Sequence, residues 1–253
     1  MKHCTIILIH GMLQSTLSMS SLQNNLEQQY PDRKIRSIPI LLGPLSTIFE
    51  DPSYYLTEIS KQIQKEQGCV DIIGHSLGGF FARAYSQLYG DRTGYPQIRK
   101  LISTSGVQGG FYCKNGCFGI PKFLLSMKRM NSRYYQENLI PAHIWRDYKQ
   151  DLSVQKGFIT QIMDVKIKAQ EYICFWTEAD DILQPPETGK HGFYNKNGTI
   201  VDAEDLEEFQ MLGLDQMKNE GRFTRINMVD YLHNDYLRDR SKEFVEEQLS
   251  KFL

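Results

Sequence analysis

The stretch that most constrains the fold is Val70-Asp71-Ile72-Ile73-Gly74-His75-Ser76-Leu77-Gly78-Gly79. An apolar run of strand length stops at Gly-x-Ser-x-Gly, and helix-forming sequence follows at once in Phe80-Phe81-Ala82-Arg83-Ala84. A serine at such a turn is pushed out at the carboxyl end of a parallel strand, with a helix N-terminus directly behind it. The glycines belong there because a Cβ would collide where strand and helix meet. A glycine-rich turn without chemistry would read the same locally. Only the rest of the chain separates the two.

Apolar runs of strand length recur between helical patterns. Thr5 to Ile9 reads as a first strand, followed by a helix near Met19 to Gln29. Lys34 to Ile38 is a short strand. Ser53 to Glu66 is helical, with Tyr55, Ile59 and Ile63 on one stripe. Cys69 to Ile73 leads into the serine turn, and Phe80 to Leu88 forms the helix behind it. Lys100 to Ser103, Tyr172 to Trp176 and Arg222 to Val229 are further strands, and a last helix runs from Lys242 to Phe252. Such alternation predicts α/β architecture: a mostly parallel sheet with right-handed crossovers, flanked by helices. The length of 253 residues fits one domain over residues 1–253. Between Ser105 and Lys168 the alternation stops. This stretch is rich in large apolar residues: Phe111, Phe118, Ile120, Phe123, Leu124, Met127, Trp145, Phe158, Ile159, Ile162 and Met163. Two readings compete for residues 105–168. They are helices packed on the core, or a cap inserted between two strands that roofs a site at the carboxyl rim. Different residues can serve each.

The net charge of -1 offers no electrostatic case for binding nucleic acid. No apolar run approaches the roughly 20 residues that span a bilayer. The first residues run directly into a strand without a signal-peptide pattern, so the chain is either cytosolic or begins after a removed signal. Cys4, Cys69 and Cys174 sit in or beside predicted buried strands and read as small packing residues. Cys113 and Cys117 bracket a polar Lys114-Asn115-Gly116 turn and could close a small disulfide loop. With no second pair and no histidine cluster they are not a zinc site, and no metal or other cofactor is expected. Asn197-Gly198-Thr199 is a glycosylation sequon in a turn-like stretch.

A serine hydroxyl becomes a useful nucleophile only when a base takes its proton, and that base is usually a histidine oriented by a carboxylate. After Ser76 the chain offers one well-placed acidic segment, Thr177-Glu178-Ala179-Asp180-Asp181, just beyond the strand at Tyr172 to Trp176. Asp180 is the expected acid, with Asp181 as substitute. Among His3, His10, His75, His143, His191 and His233, only His233 follows a late strand and precedes the final helix. It is the expected base. His75 adjoins the serine but should point elsewhere, and His10 should support the loop after the first strand. Acyl transfer also needs donors for a developing oxyanion. The backbone N–H of Leu77 and that of Met12, in His10-Gly11-Met12-Leu13-Gln14, are the candidates.

Taken together these pieces resemble the palmitoyl-protein thioesterases, within the α/β-hydrolase superfamily, over nearly the whole chain. The likeness rests on His10-Gly11-Met12, Leu17-Ser18-Met19, Gly74-His75-Ser76-Leu77-Gly78-Gly79 and Leu101-Ile102-Ser103 leading to Gly109. It continues through Gly119-Ile120-Pro121 and Asp180-Asp181-Ile182-Leu183-Gln184-Pro185 before Gly192-Phe193-Tyr194. The most distinctive piece is Leu212-Gly213-Leu214-Asp215-Gln216-Met217 with Asn219-Glu220-Gly221 behind it. The resemblance implies a lysosomal or secreted enzyme that hydrolyses fatty-acyl thioesters of cysteine in proteins and peptides. Ser76, Asp180 and His233 would form its triad, with Met12 and Leu77 as oxyanion donors. It also implies a Cys113–Cys117 disulfide, and a monomer is expected. Two alternatives stand beside this reading. One is a lipase or esterase using the same triad on oxygen esters. The other is a catalytically silent lipid-binding protein on the same fold.

Overall fold

A computed structural model describes residues 4–39, 44–113 and 127–253. Strands β1 (Thr5–Ile9), β2 (Ile35–Ser37), β3 (Cys69–His75), β4 (Gln97–Thr104) and β5 (Glu171–Trp176) appear where the alternation predicts them. A two-residue pair, β6 (Phe193–Tyr194) and β7 (Ile200–Val201), forms a separate antiparallel hairpin, and β8 (Phe223–Asn227) closes the series. The main sheet has six strands in the order β2-β1-β3-β4-β5-β8, and every neighbouring pair is parallel. The chain leaves β1 toward β2 on one side and then crosses back to β3 on the other. The strand order therefore reverses between β1 and β3, the place where open α/β sheets bind ligands outside their carboxyl ends.

Period-two alternation gives the sheet two buried faces. Ile7, Ile9, Val70, Ile72 and Leu101 pack on one side, while Ile6, Leu8, Ile73, Ile102 and Ile173 pack on the other. Helices α1 (Ser20–Gln29), α2 (Pro52–Ile63) and α3 (Leu77–Tyr89) cover them. Asp51 caps α2 by accepting the N–H groups of Ser53 and Tyr54, with Pro52 pre-set in the first turn. The predicted stripe of Tyr55, Ile59 and Ile63 is buried. Helical turns over Ser241–Glu243, Phe244–Gln248 and Leu249–Lys251 bury Phe244, Val245 and Leu249 on the far face.

Between β4 and β5 the described residues form only short helices: α4 (Met127–Met130), α5 (Arg133–Asn138), α6 (Ile140–Ile144) and α7 (Phe158–Gln161). Phe158, Ile159, Ile162 and Met163 join the core under this segment. Phe118, Ile120, Phe123, Leu124 and Cys117 lie outside the described residues. The Leu212–Met217 piece runs from the C-cap of α8 (Glu208–Met211) into α9 (Leu214–Asn219), with Leu212, Leu214 and Met217 buried. It braces the insert from behind. Leu212 accepts the Ile167 N–H at 3.1 Å, and Glu208 forms a buried ion pair with Arg146.

One expectation about the cysteines fails. Cys4 and Cys69 are joined in a disulfide. The register of β1 and β3 pairs Thr5 with Val70, so the residues just before them lie side by side with Cα atoms 4.8 Å apart, inside the span a disulfide needs. Cys174 behaves as expected: it is free and buried, and burial pushes its thiol up to about 12. Cys113 is buried.

Candidate active site

Ser76 leaves β3 with φ 55° and ψ -122° and opens α3 as its N-cap residue. A left-handed φ on a non-glycine residue is costly and persists only where neighbours impose it. Here the glycines let the chain close in. A Cβ on Gly74 would stand 2.3 Å from the Gly78 carbonyl oxygen, and one on Gly78 would stand 2.2 Å from that of Ile9. The elbow is thus wedged between its own helix and the end of β1.

Asp180 lies four residues past the end of β5, and His233 lies past β8, on the same carboxyl rim. The His233 Nδ1 stands 2.9 Å and 3.0 Å from the two Asp180 carboxylate oxygens. Burial alone would raise the Asp180 carboxyl. The hydrogen bond and charge of His233, with the N–H groups of Leu183 and Ile182 donating to Oδ1, hold it below the usual carboxylate range. An anionic Asp180 fixes the Nδ1–H tautomer and leaves Nε2 as the ring's acceptor. Asp181 serves the main chain instead, and its carboxylate accepts the backbone N–H of His233 at 3.0 Å. The two adjacent aspartates therefore divide the ring and the backbone of His233 between them.

The loop after β1 forms a tight turn over the serine. Gln14 N–H donates to the Gly11 carbonyl at 3.4 Å, and Leu13, with φ 58°, donates its N–H to Thr47 Oγ1 at 2.7 Å. The Gly11 N–H donates to Gln14 Oε1 at 2.8 Å. Among the described residues the Met12 N–H alone in this turn meets no acceptor. A Cβ on Gly11 would stand 2.9 Å from the Ser76 Cβ, so this loop lies directly against the elbow. Leu77 begins α3, and the first N–H groups of a helix have no partner inside it.

Ser76, Leu77, Met12 and His233 line one apolar cavity of about 410 Å³. The insert supplies Val107, Phe111, Met130, Pro141, Ile144 and Trp145, and other walls come from Ile48, Ile182 and Leu183. The Leu212–Met217 piece contributes nothing to these walls. Among the described residues no group of three His, Cys, Asp or Glu side chains is placed to hold a metal. Asn197 is exposed in the turn of the β6–β7 hairpin.

Three contacts here escaped sequence reasoning. His75 is fully buried, with its ring centroid 4.9 Å from that of His233 and its Nδ1 3.2 Å from Thr104 Oγ1. Burial, reinforced by the His233 charge, holds it down to about 3, so it stays neutral. The split roles of Asp180 and Asp181 are the second contact. The third is a bond from Gln14 Nε2 to Asn234 Oδ1 at 2.9 Å, across 220 positions of sequence. A polar residue closing the apolar Gly11-to-Leu13 turn was its one hint in the sequence. His10 is buried, with Nδ1 3.0 Å from the Gly11 carbonyl, as its supporting role predicts.

Several solved structures share this fold across nearly the whole chain. The Paleococcus ferrophilus monoacylglycerol lipase matches with a TM-score of 0.58 at 13% identity, covering 94% of this chain and 90% of that one. The Bacillus subtilis carboxylesterase CesB matches with a TM-score of 0.58 at 11% identity, over 99% and 84%. The product of the Listeria innocua gene lin2722 matches with a TM-score of 0.57 at 13% identity, over 100% and 96%. At such identities the likeness speaks to fold alone, and the fold is that of an α/β-hydrolase. No curated protein matches the sequence. A sequence model of the family described as palmitoyl protein thioesterase matches residues 5–233.

Proposed function

The chain belongs to the palmitoyl protein thioesterase family, and from that premise we propose that it is a serine hydrolase that cleaves long-chain acyl thioesters of cysteine in proteins and peptides. The observation that carries this reading is the Asp180–His233 pair opening onto the same apolar cavity as Ser76. Ser76 Oγ attacks the thioester carbonyl carbon while its proton passes to His233 Nε2, and Asp180 stabilises the imidazolium. The oxyanion accepts the N–H groups of Met12 and Leu77, each such donor being worth about 3–4 kcal/mol. The C–S bond then breaks, the cysteine sulfur takes the proton from His233, and an acyl-Ser76 remains. Water, deprotonated by His233, attacks that ester; the C–O bond to Ser76 breaks, Ser76 Oγ takes the proton back from His233, and the fatty acid is released.

The acyl chain would lie in the 410 Å³ cavity, where each methylene leaving water contributes about 0.8 kcal/mol. Residues 105–168 would act as its cap, because Phe111, Met130, Ile144 and Trp145 form part of the wall. The peptide half would stay outside, so tolerance of protein sequence follows. An oxidising compartment, lysosomal or secreted, is part of the same proposal, and the Cys4–Cys69 bond supports it. So are a Cys113–Cys117 bond, a glycan on Asn197 and a monomeric state.

Oxygen esters are the second reading, favoured by an elbow of the form Gly74-His75-Ser76-Leu77-Gly78 that lipases share. Hydrolysis rates for palmitoyl-CoA, a palmitoyl-cysteine peptide and triacylglycerol, with Ser76→Ala as blank, separate the two. A Ser76→Ala protein as active as wild type on palmitoyl thioesters would overturn the serine mechanism. Faster turnover of triacylglycerol would select the oxygen-ester reading.

A further inference from the structure

Resting on the acyl-serine reading above, we propose that Gln14 is a positioning residue that aims the Met12 N–H at the oxyanion and couples it to the His233 loop. One carboxamide makes both links. Its Oε1 accepts the Gly11 N–H at 2.8 Å, and its Nε2 donates to Asn234 Oδ1 at 2.9 Å. The first bond fixes the peptide plane that enters the Gly11–Gln14 turn. The second ties that turn to the residue beside His233.

The hydrogen bonds of the turn say what this achieves. Gly11, Leu13 and Gln14 all spend their N–H groups, on Gln14 Oε1, Thr47 Oγ1 and the Gly11 carbonyl respectively. The Met12 N–H is left over among the described residues, on a loop that touches Ser76 and lines the cavity. The peptide bond is planar, so Gly11 and Leu13, held on either side, set the direction of the Met12 N–H. Removing the carboxamide frees the entrance of the turn. It also cuts the bridge between the two loops that must act on the same carbonyl.

A positioning role shows in the transition state and not in ground-state binding. Gln14→Met keeps the side-chain length and removes both bonds. With palmitoyl-CoA its kcat should fall about 10- to 100-fold, the loss expected when a supporting contact lets a reacting group drift. KM should stay within about threefold of wild type. A long-chain alkyl trifluoromethyl ketone forms a reversible hemiketal with Ser76 Oγ and presents an oxyanion. Its Ki should rise in proportion to the loss in kcat/KM, while inhibition by palmitate, which carries no such tetrahedral centre, should hold. Asn234→Leu removes only the far anchor and should give a smaller loss of the same kind. The double variant should be no slower than Gln14→Met alone, because the two residues act through one bridge.

If Gln14→Met does not fold, Asn234→Leu decides: a kcat loss with KM and palmitate inhibition unchanged supports the assignment, and wild-type kcat overturns it. A Gln14→Met enzyme with kcat within about threefold of wild type overturns it too, as does a loss that appears only in KM. If wild-type turnover does not depend on Ser76, the acyl-serine reading falls and takes this proposal with it. If turnover depends on Ser76 and kcat survives Gln14→Met, only the role of Gln14 falls.

Discussion

Two buried polar clusters flank the elbow helix, and they are finished differently. On α3 itself, Arg83 is fully buried. It donates to the Gln108 and Gln87 side-chain oxygens at 2.9 and 2.8 Å, and Gln108 donates in turn to Ser103 Oγ at 2.9 Å. Nearby, Arg146 pairs with Glu208, both nearly sealed from solvent. On its inner side this pair borders a void of about 10 Å³, room for one water at most, and on its outer side an open polar groove of about 310 Å³. At the rim, Asp180 and His233 are just as well paired, yet they open on a void of about 410 Å³. The first cluster turns its bonds back on the protein except at Arg146 Nε, which is buried without a partner. Among the described residues, the second leaves the accepting ring nitrogen of His233 without a donor and the Met12 N–H without an acceptor. Buried charge alone does not mark a reactive site; what sets the rim apart is that its unspent bonding directions belong to groups lining one apolar cavity with the serine.

That contrast can be broken by experiment. Asp180→Asn preserves the shape of the rim but removes the charge that fixes the His233 tautomer. It should cost on the order of 10⁴ in kcat with little change in Tm. A loss below about tenfold would mean the pair is scaffold. Glu208→Gln leaves Arg146 buried without its counter-charge and should cost about 3–5 kcal/mol of stability. Its kcat below the melting range should stay within about threefold of wild type. A collapse of kcat with an unchanged Tm would erase the distinction between the clusters.

A smaller effect concerns acid. His75 is held near 3, by burial first and the His233 charge second. Below about pH 6.5, the ordinary histidine value, the unfolded chain takes up a proton that the folded one refuses. Stability is therefore complete above that pH and falls toward pH 3, by up to about 1.4 kcal/mol per pH unit. Burial lowers His10, His143 and His191 in the same direction. Asp180, depressed in the folded state, adds its own loss only as pH drops through the carboxylate range. Melting curves from pH 8 to 4 should show this slope, and His75→Phe should flatten it. An unchanged slope would remove His75 from the account.

What was legible in the sequence depended on position along single strands. The Gly-x-Ser-x-Gly turn, Asp180 and His233 each sit just past a strand end, so order alone placed them on one rim. Cys4 and Cys69 were misread because their partnership depends on which strands are neighbours and in what register. The Gln14–Asn234 bridge and the His75–His233 contact were hidden for the same reason, being set by how separate loops meet. The Leu212–Met217 piece teaches the reverse. Its pattern was distinctive enough to suggest a family, yet it lies behind the insert and lines no part of the cavity that holds Ser76.

The Cys4–Cys69 bond sits where β1 and β3 begin, at the opposite end of the sheet from Ser76. Losing this one bond would therefore act on how long the molecule survives and leave each turnover as fast as before. Two clocks run separately in this chain. One is set by the chemistry at the rim, the other by the redox state of the surroundings, and a cell could age this protein without slowing it.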